Sequence, residues 1–214
     1  MQRIALFVFG FMFNFGLIVH SYAAPTDTEI LVAEMTMIQQ DPDLLQKAVT
    51  AGKDRAILCG SCHGKNGNSV RDYIPNLASQ NAAYLFNQFE SFSNGERKDY
   101  VMSRLAKNLT RLDRVNIALY FSQMPVEARK VAVPRSAEGE KIYQGLCFAC
   151  HEQDGHGNGS YPRIAGQPYK YLQKTMEGFA GADQRRANSP MAAIVKNLNK
   201  QQLLDVAAYV ASMP

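Results

Sequence analysis

One pentapeptide pattern, Cys-x-x-Cys-His, occurs twice. Cys59-Gly-Ser-Cys62-His63 recurs 88 positions later as Cys147-Phe-Ala-Cys150-His151. The correspondence continues beyond the motif. Pro75-Asn-Leu77-Ala-Ser-Gln80 returns as Pro162-Arg-Ile164-Ala-Gly-Gln167, Tyr84-Leu85 as Tyr171-Leu172, Phe92 as Phe179, Met102 as Met191, and Tyr120 through Pro125 as Tyr209 through Pro214. Ordered matches over a whole unit mean that the chain contains two copies of one fold. A length of 214 residues accommodates two small domains.

Each copy reads as helical, and we expect an all-α protein. Thr110-Arg-Leu-Asp113 and Asn199-Lys-Gln-Gln202 have the form of a capping box opening the last helix of each half. Behind them Val115, Ala118, Leu119 and Ser122 share one face, as do Leu204, Ala207, Ala208 and Ala211. Further helices are expected before each cysteine pair, over 82–93 and over 169–179, the latter two stopping at Gly95 and Gly181. No alternating strand run is present. The segment 126–135 follows Pro125, carries Pro134 and several charges, and reads as an extended linker.

The first 23 residues have the form of a cleavable export signal: Arg3, an apolar run from Ile4 to Val19, and the small-x-small Ser21-Tyr22-Ala23. The run is short for a membrane span. The expected organisation is a signal peptide over 1–23, an N-terminal helical extension over 24–51, one domain over 52–125, the linker over 126–135 and a second domain over 136–214. Thr28 to Gln40 is expected to pack as a helix on the first domain, with Met35, Met37 and Met176 as packing residues. Removing Arg3 leaves 22 basic side chains against 19 acidic. There is no basic stripe of the kind that binds nucleic acid. The exported protein is expected to be soluble, with peripheral membrane association left open.

Cys-x-x-Cys-His is the attachment signature of c-type haem. The spacer lets one helical turn present both sulfurs, Cys59 with Cys62 and Cys147 with Cys150, to the porphyrin vinyl groups. The next residue, His63 or His151, then faces the iron. Competing readings are a four-sulfur zinc site, a redox dithiol and structural disulfides. Zinc leaves the two histidines unexplained, and no βαβ context supports the dithiol. His156 lies five residues after His151 and cannot easily reach the opposite face of the same haem. Methionine is the remaining common ligand. Met102 with Met191 and Met124 with Met213 both survive the repeat. The first pair is favoured because each follows a polar, arginine-bearing loop, whereas the second pair sits at helix ends where packing explains it. Carbonyls near Pro75 and Pro162 are candidates to accept the proximal imidazole N–H. Tyr84, Tyr171, Arg97, Arg185 and Arg186 are candidates for propionate contacts.

These motifs resemble two class I cytochrome c domains in tandem, as in the cytochrome c4 family of two-haem periplasmic electron carriers, over 52–214. The resemblance implies two covalently bound haem c groups, with iron held by His63 and Met102 in the first half and by His151 and Met191 in the second. It implies outer-sphere electron transfer rather than enzyme catalysis, in the periplasm, from a quinol-oxidising complex toward a terminal oxidase. An electron-transfer subunit of a larger dehydrogenase or oxidase, or a two-haem peroxidase, are the alternatives. The N-terminal extension departs from the family pattern.

Overall fold

The computed structural model describes residues 26–131, 133–159, 161–181 and 189–214. The expected signal segment, and Arg185 and Arg186, lie outside the described residues. Among the described residues there are helices and turns and no strand.

The extension forms two helices. Helix α1 (Asp27–Gln40) opens on a capping box in which Thr26 and Glu29 satisfy each other's backbone N–H groups. It buries Met35 in the core of the first half, with Leu31, Val32 and Ile38 packed beside it. Met37 corrects the sequence expectation: it is 60% exposed, on the face of α1 turned away from that core. Helix α2 (Pro42–Arg55) starts at once, with Asp41 capping and Pro42 in the first turn, where a missing N–H is harmless. It runs continuously past residue 52 and ends at Arg55, four residues before Cys59.

The first half continues with α3 (Gly60–His63), α4 (Ala82–Asn94), α5 (Met102–Lys107) and α6 (Arg111–Ser122). The second repeats the plan with α7 (Ala137–Ile142), α8 (Phe148–His151), α9 (Tyr169–Ala180), α10 (Pro190–Val195) and α11 (Lys200–Ala211). The predicted capping boxes open α6 and α11. Gly95 ends α4 in the left-handed conformation, at φ 86°. In each half the helix before the cysteines packs on the last helix, α2 on α6 and α7 on α11.

The last helices are buried more widely than an amphipathic stripe suggests. Leu203, Val206, Tyr209 and Val210 are sequestered in α11, while Leu204 is only half-buried. α7 covers one side of α11 and α9 another, so the apolar face has two neighbours. Each half has its own apolar core, one built around Phe86, Ile117, Leu119 and Phe121, the other around Tyr143, Ala207 and Val210.

The halves are stitched together by polar side chains. Gln167 accepts from the Asn76 N–H at 2.9 Å and donates to the Asn76 carbonyl at 3.0 Å. Gln80 does the same to Arg163, accepting at 2.7 Å and donating at 2.8 Å. The two glutamines occupy matching positions in the repeat, so the contact is reciprocal. The described residues between Pro125 and α7 form no helix, and the segment is tied to the first half: Asn68 bonds the Pro125 carbonyl and the Glu127 N–H, each at 2.9 Å, and Arg129 bonds the Ser69 carbonyl.

Candidate functional site

The chain enters each cysteine motif by a differently wound turn. A 3₁₀ turn over Ile57–Cys59 leads into α3, whereas a wider π turn over Tyr143–Cys147 leads into α8. Both deliver two cysteines and a histidine within about one helical turn. All four thiols are free and unpaired by disulfides. Burial pushes the Cys147 thiol up to about 11, and burial raises Cys59 as well. Dithiols that work by exchange carry a depressed value, the opposite of the direction at Cys59 and Cys147.

His63 and His151 are buried, each at the end of its short helix. Nδ1 of His63 lies 2.9 Å from the Pro75 carbonyl oxygen, and Nδ1 of His151 lies 3.0 Å from that of Pro162. A carbonyl only accepts, so each Nδ1 carries the proton and each Nε2 is left with a lone pair. No hydrogen bond to either Nε2 occurs among the described residues. Burial is the main reason both imidazoles resist protonation, outweighing the opposing pull of the proline carbonyl. A neutral ring with a fixed tautomer is what a metal-ligating histidine requires. The loops that bring the prolines back use left-handed glycines. Gly67 (φ 80°) receives the Leu77 N–H on its carbonyl, and Gly155 (φ 74°) receives that of Ile164, each at 2.7 Å.

Met102 opens α5, its N–H bonded to Asp99 Oδ1 at 2.9 Å, and Met191 stands in the first turn of α10. Each is half-buried and packs on the same core as the first cysteine of its half, Met102 with Cys59 and Met191 with Cys147. Met213 is almost fully buried against Gly155 and Ala165 and fills the second core. Met124 packs on the first core. His156 is a surface residue, paired with Asp154 at 3.1 Å.

Three of the propionate candidates gather in one place. Arg97 stands over the Phe92 ring at 4.3 Å and donates to Gln88 at 2.5 Å, near enough to Tyr84 to act on its hydroxyl. Burial raises both Tyr84 and Tyr171, and the Arg97 charge pulls both back. Among the described residues no carboxylate pairs with Arg97. The donor set in each half, two thiols, a tautomer-fixed imidazole and a thioether on one apolar core, fits covalently held haem. A guanidinium and a phenol of the first half, Arg97 and Tyr84, gather there with a phenol of the second, Tyr171, whose N–H bonds the Asp72 carbonyl across the seam. The sequence marked the Pro-x-Leu/Ile-Ala-x-Gln element but gave its glutamine no role. The signal was its recurrence at matching positions, and only the tertiary structure shows what it touches.

A family model for cytochrome c matches residues 136–214. Over 186 residues the chain is 31% identical to cytochrome c4 of Azotobacter vinelandii, covering 76% of this chain and 88% of that one. A protein of Thiomonas intermedia named as a thiosulfate dehydrogenase electron acceptor is 29% identical over 77% of this chain and 82% of its own length. Among solved structures, reduced recombinant cytochrome c4 from Pseudomonas stutzeri superposes with a TM-score of 0.71 at 26% identity, over 78% of this chain and 98% of that one.

Proposed function

The chain belongs to the cytochrome c4 family, and from that premise we propose that it is an exported carrier passing single electrons between respiratory redox proteins. It is a two-haem electron-transfer cytochrome of two class I cytochrome c domains, with haem c bound covalently. In our reading Cys59 and Cys62 hold one haem by thioethers and Cys147 and Cys150 the other. His63 and Met102 ligate the first iron, His151 and Met191 the second. Each bound haem supplies a one-electron ferric/ferrous couple.

The residues around it do the rest. The Pro75 and Pro162 carbonyls fix each imidazole and raise its basicity. A methionine thioether as the second protein ligand would favour the reduced state and raise the potential. If His63 with Met102 and His151 with Met191 hold the two irons, the protein would leave no open position for oxygen or peroxide, which favours a carrier over a peroxidase. Arg97, Tyr84 and Tyr171 offer donors to propionate oxygens. No helix among the described residues is long and apolar enough to cross a membrane. The Arg3-led apolar start of the sequence supports export to the periplasm, and the likeness to cytochrome c4 supports redox partners such as a quinol-oxidising complex and a terminal oxidase.

The observation that carries this reading is the histidine-to-proline-carbonyl bond made in the same way in both halves. The test is to mature the chain in an exporting host and record its mass and reduced spectrum. Two added haem masses and low-spin methionine-type bands are expected. Colourless protein with free or zinc-bound thiols would reject the reading. A second reading has one observation in its favour, the similarity to a thiosulfate dehydrogenase electron acceptor. Under it the chain works as the electron-accepting partner of a dehydrogenase, and a complex that survives high salt would distinguish it from a free carrier.

A further inference from the structure

Pro75 C=O and Asn76 N–H are the two ends of one peptide group. The oxygen accepts from His63 Nδ1 at 2.9 Å, and the nitrogen donates to Gln167 Oε1, in the other half, at 2.9 Å. The second half mirrors this. The Pro162–Arg163 peptide accepts from His151 at 3.0 Å and donates to Gln80 Oε1, in the first half, at 2.7 Å. Gln80, Gln167 and Asn76 are each only 4% exposed, and Arg163 6%. Each glutamine is locked by its second bond, from Nε2 to the following carbonyl.

We infer that Gln80 and Gln167 are positioning residues that set, across the interface, the reduction potential of the iron held by the other half's histidine. The inference rests on His63 and His151 being the iron ligands. Its physical basis is the polarisability of the amide. Accepting from the amide N–H pushes electron density onto the carbonyl oxygen of the same peptide. That oxygen becomes a stronger acceptor for the imidazole N–H, because hydrogen bonds in a chain reinforce one another in a low-dielectric interior. The ring gains imidazolate character, becomes a stronger donor and favours the ferric state. The chains cross: His63, the Pro75 peptide and Gln167 form one; His151, the Pro162 peptide and Gln80 form the other. The orientation of one half therefore biases the couple of its neighbour.

The test uses the complete two-haem protein with Gln167→Met and Gln80→Met, which keep side-chain length and remove both hydrogen bonds. Potentials come from stepwise titration, each couple assigned through the ring resonances of its histidine. In Gln167→Met the His63 couple should move toward the ferrous state by about threefold to tenfold, tenfold being about 59 mV for one electron. The His151 couple should stay in place, and the His63 Nδ1–H resonance of the reduced protein should move upfield. Gln80→Met should give the mirror result. Gln167→Glu, which keeps an acceptor for the Asn76 N–H, should hold the His63 couple at or below its wild-type value. Equal movement of both couples in each variant would report a loosened interface and overturn the inference. So would a shift confined to the variant's own half, or unmoved couples with histidine ligation intact. Absence of histidine ligation in the unaltered protein would instead overturn the ligand assignment itself, and this inference with it.

Discussion

Gly52 lies against Tyr120 where α2 crosses α6, so closely that a Cβ on Gly52 would stand 2.0 Å from the Asn116 carbonyl oxygen and 2.8 Å from the Tyr120 Cβ. Gly139 meets α11 in the same way, 2.0 Å from the Asp205 oxygen and 3.0 Å from the Tyr209 Cβ. Alanine normally gains about 1 kcal/mol over glycine inside a helix. Here the obstacle is backbone, which cannot swing aside, so overpacking should win. Gly52→Ala and Gly139→Ala are each expected to lose about 1–3 kcal/mol in urea unfolding. A variant as stable as the parent would show that the helices do not cross there.

The methionines should separate by readout. Met102→Ala and Met191→Ala should each convert one haem to a high-spin or ligand-exchanged spectrum. Met213→Ala should leave both spectra intact but cost about 2–5 kcal/mol, the loss typical of emptying a buried methionine site. Unaltered spectra in both of the first two variants would reject the ligand assignment.

Arg114 is a buried cation with specific partners. It donates to Glu90 at 2.5 Å, to Ser93 at 2.9 Å and to the Ala106 carbonyl at 2.7 Å, tying α6 to α4 and to the α5 segment that begins at Met102. Arg114→Met leaves Glu90 only the longer Arg111 contact, at 3.8 Å, and should destabilise by about 3 kcal/mol. Adding Glu90→Gln should recover part of the loss. Chemical denaturation of the single and double variants measures both, and additive losses would show that the pair is not coupled.

Asp113 gives the fold an acid-sensitive point. Burial alone would raise its carboxyl, but the Thr110 hydroxyl and N–H together with Arg55 hold it below its ordinary 3.8. The unfolded chain therefore takes up this proton first as pH falls. The stabilisation is complete well above pH 3.8 and is lost as pH drops through the lower folded value. Asp113→Asn should cost about 0.5–1 kcal/mol at neutral pH and flatten that part of the acid limb. An unchanged acid limb would remove Asp113 from the account.

Much of this was legible in the sequence because its signals are local. Thr110 with Asp113 and Asn199 with Gln202 cap helices three residues away, and Cys59, Cys62 and His63 are adjacent by construction. The carbonyl partners of the two histidines were reachable from the placement of Pro75 and Pro162 in the repeat. What stayed hidden depends on contacts far apart along the chain. Gly52 has no special backbone angle, and only its neighbour α6 explains it. Gln80 and Gln167 read as ordinary polar residues until the halves are set together. Leu203 rather than Leu204 is sequestered because α11 has two covering neighbours, which the pattern of one helix cannot reveal. Met37 looked like core because its segment is apolar on several sides.

The exchange of glutamine contacts between matching positions has a consequence for origin. It is the isologous arrangement that two separate copies of a single-haem unit would adopt as a twofold dimer. Fusing such copies through 126–135 turns their association into an intramolecular event, at an effective concentration on the order of millimolar. The pairing then survives dilution, and each copy is free to diverge, as the Asn76 and Arg163 pair already has.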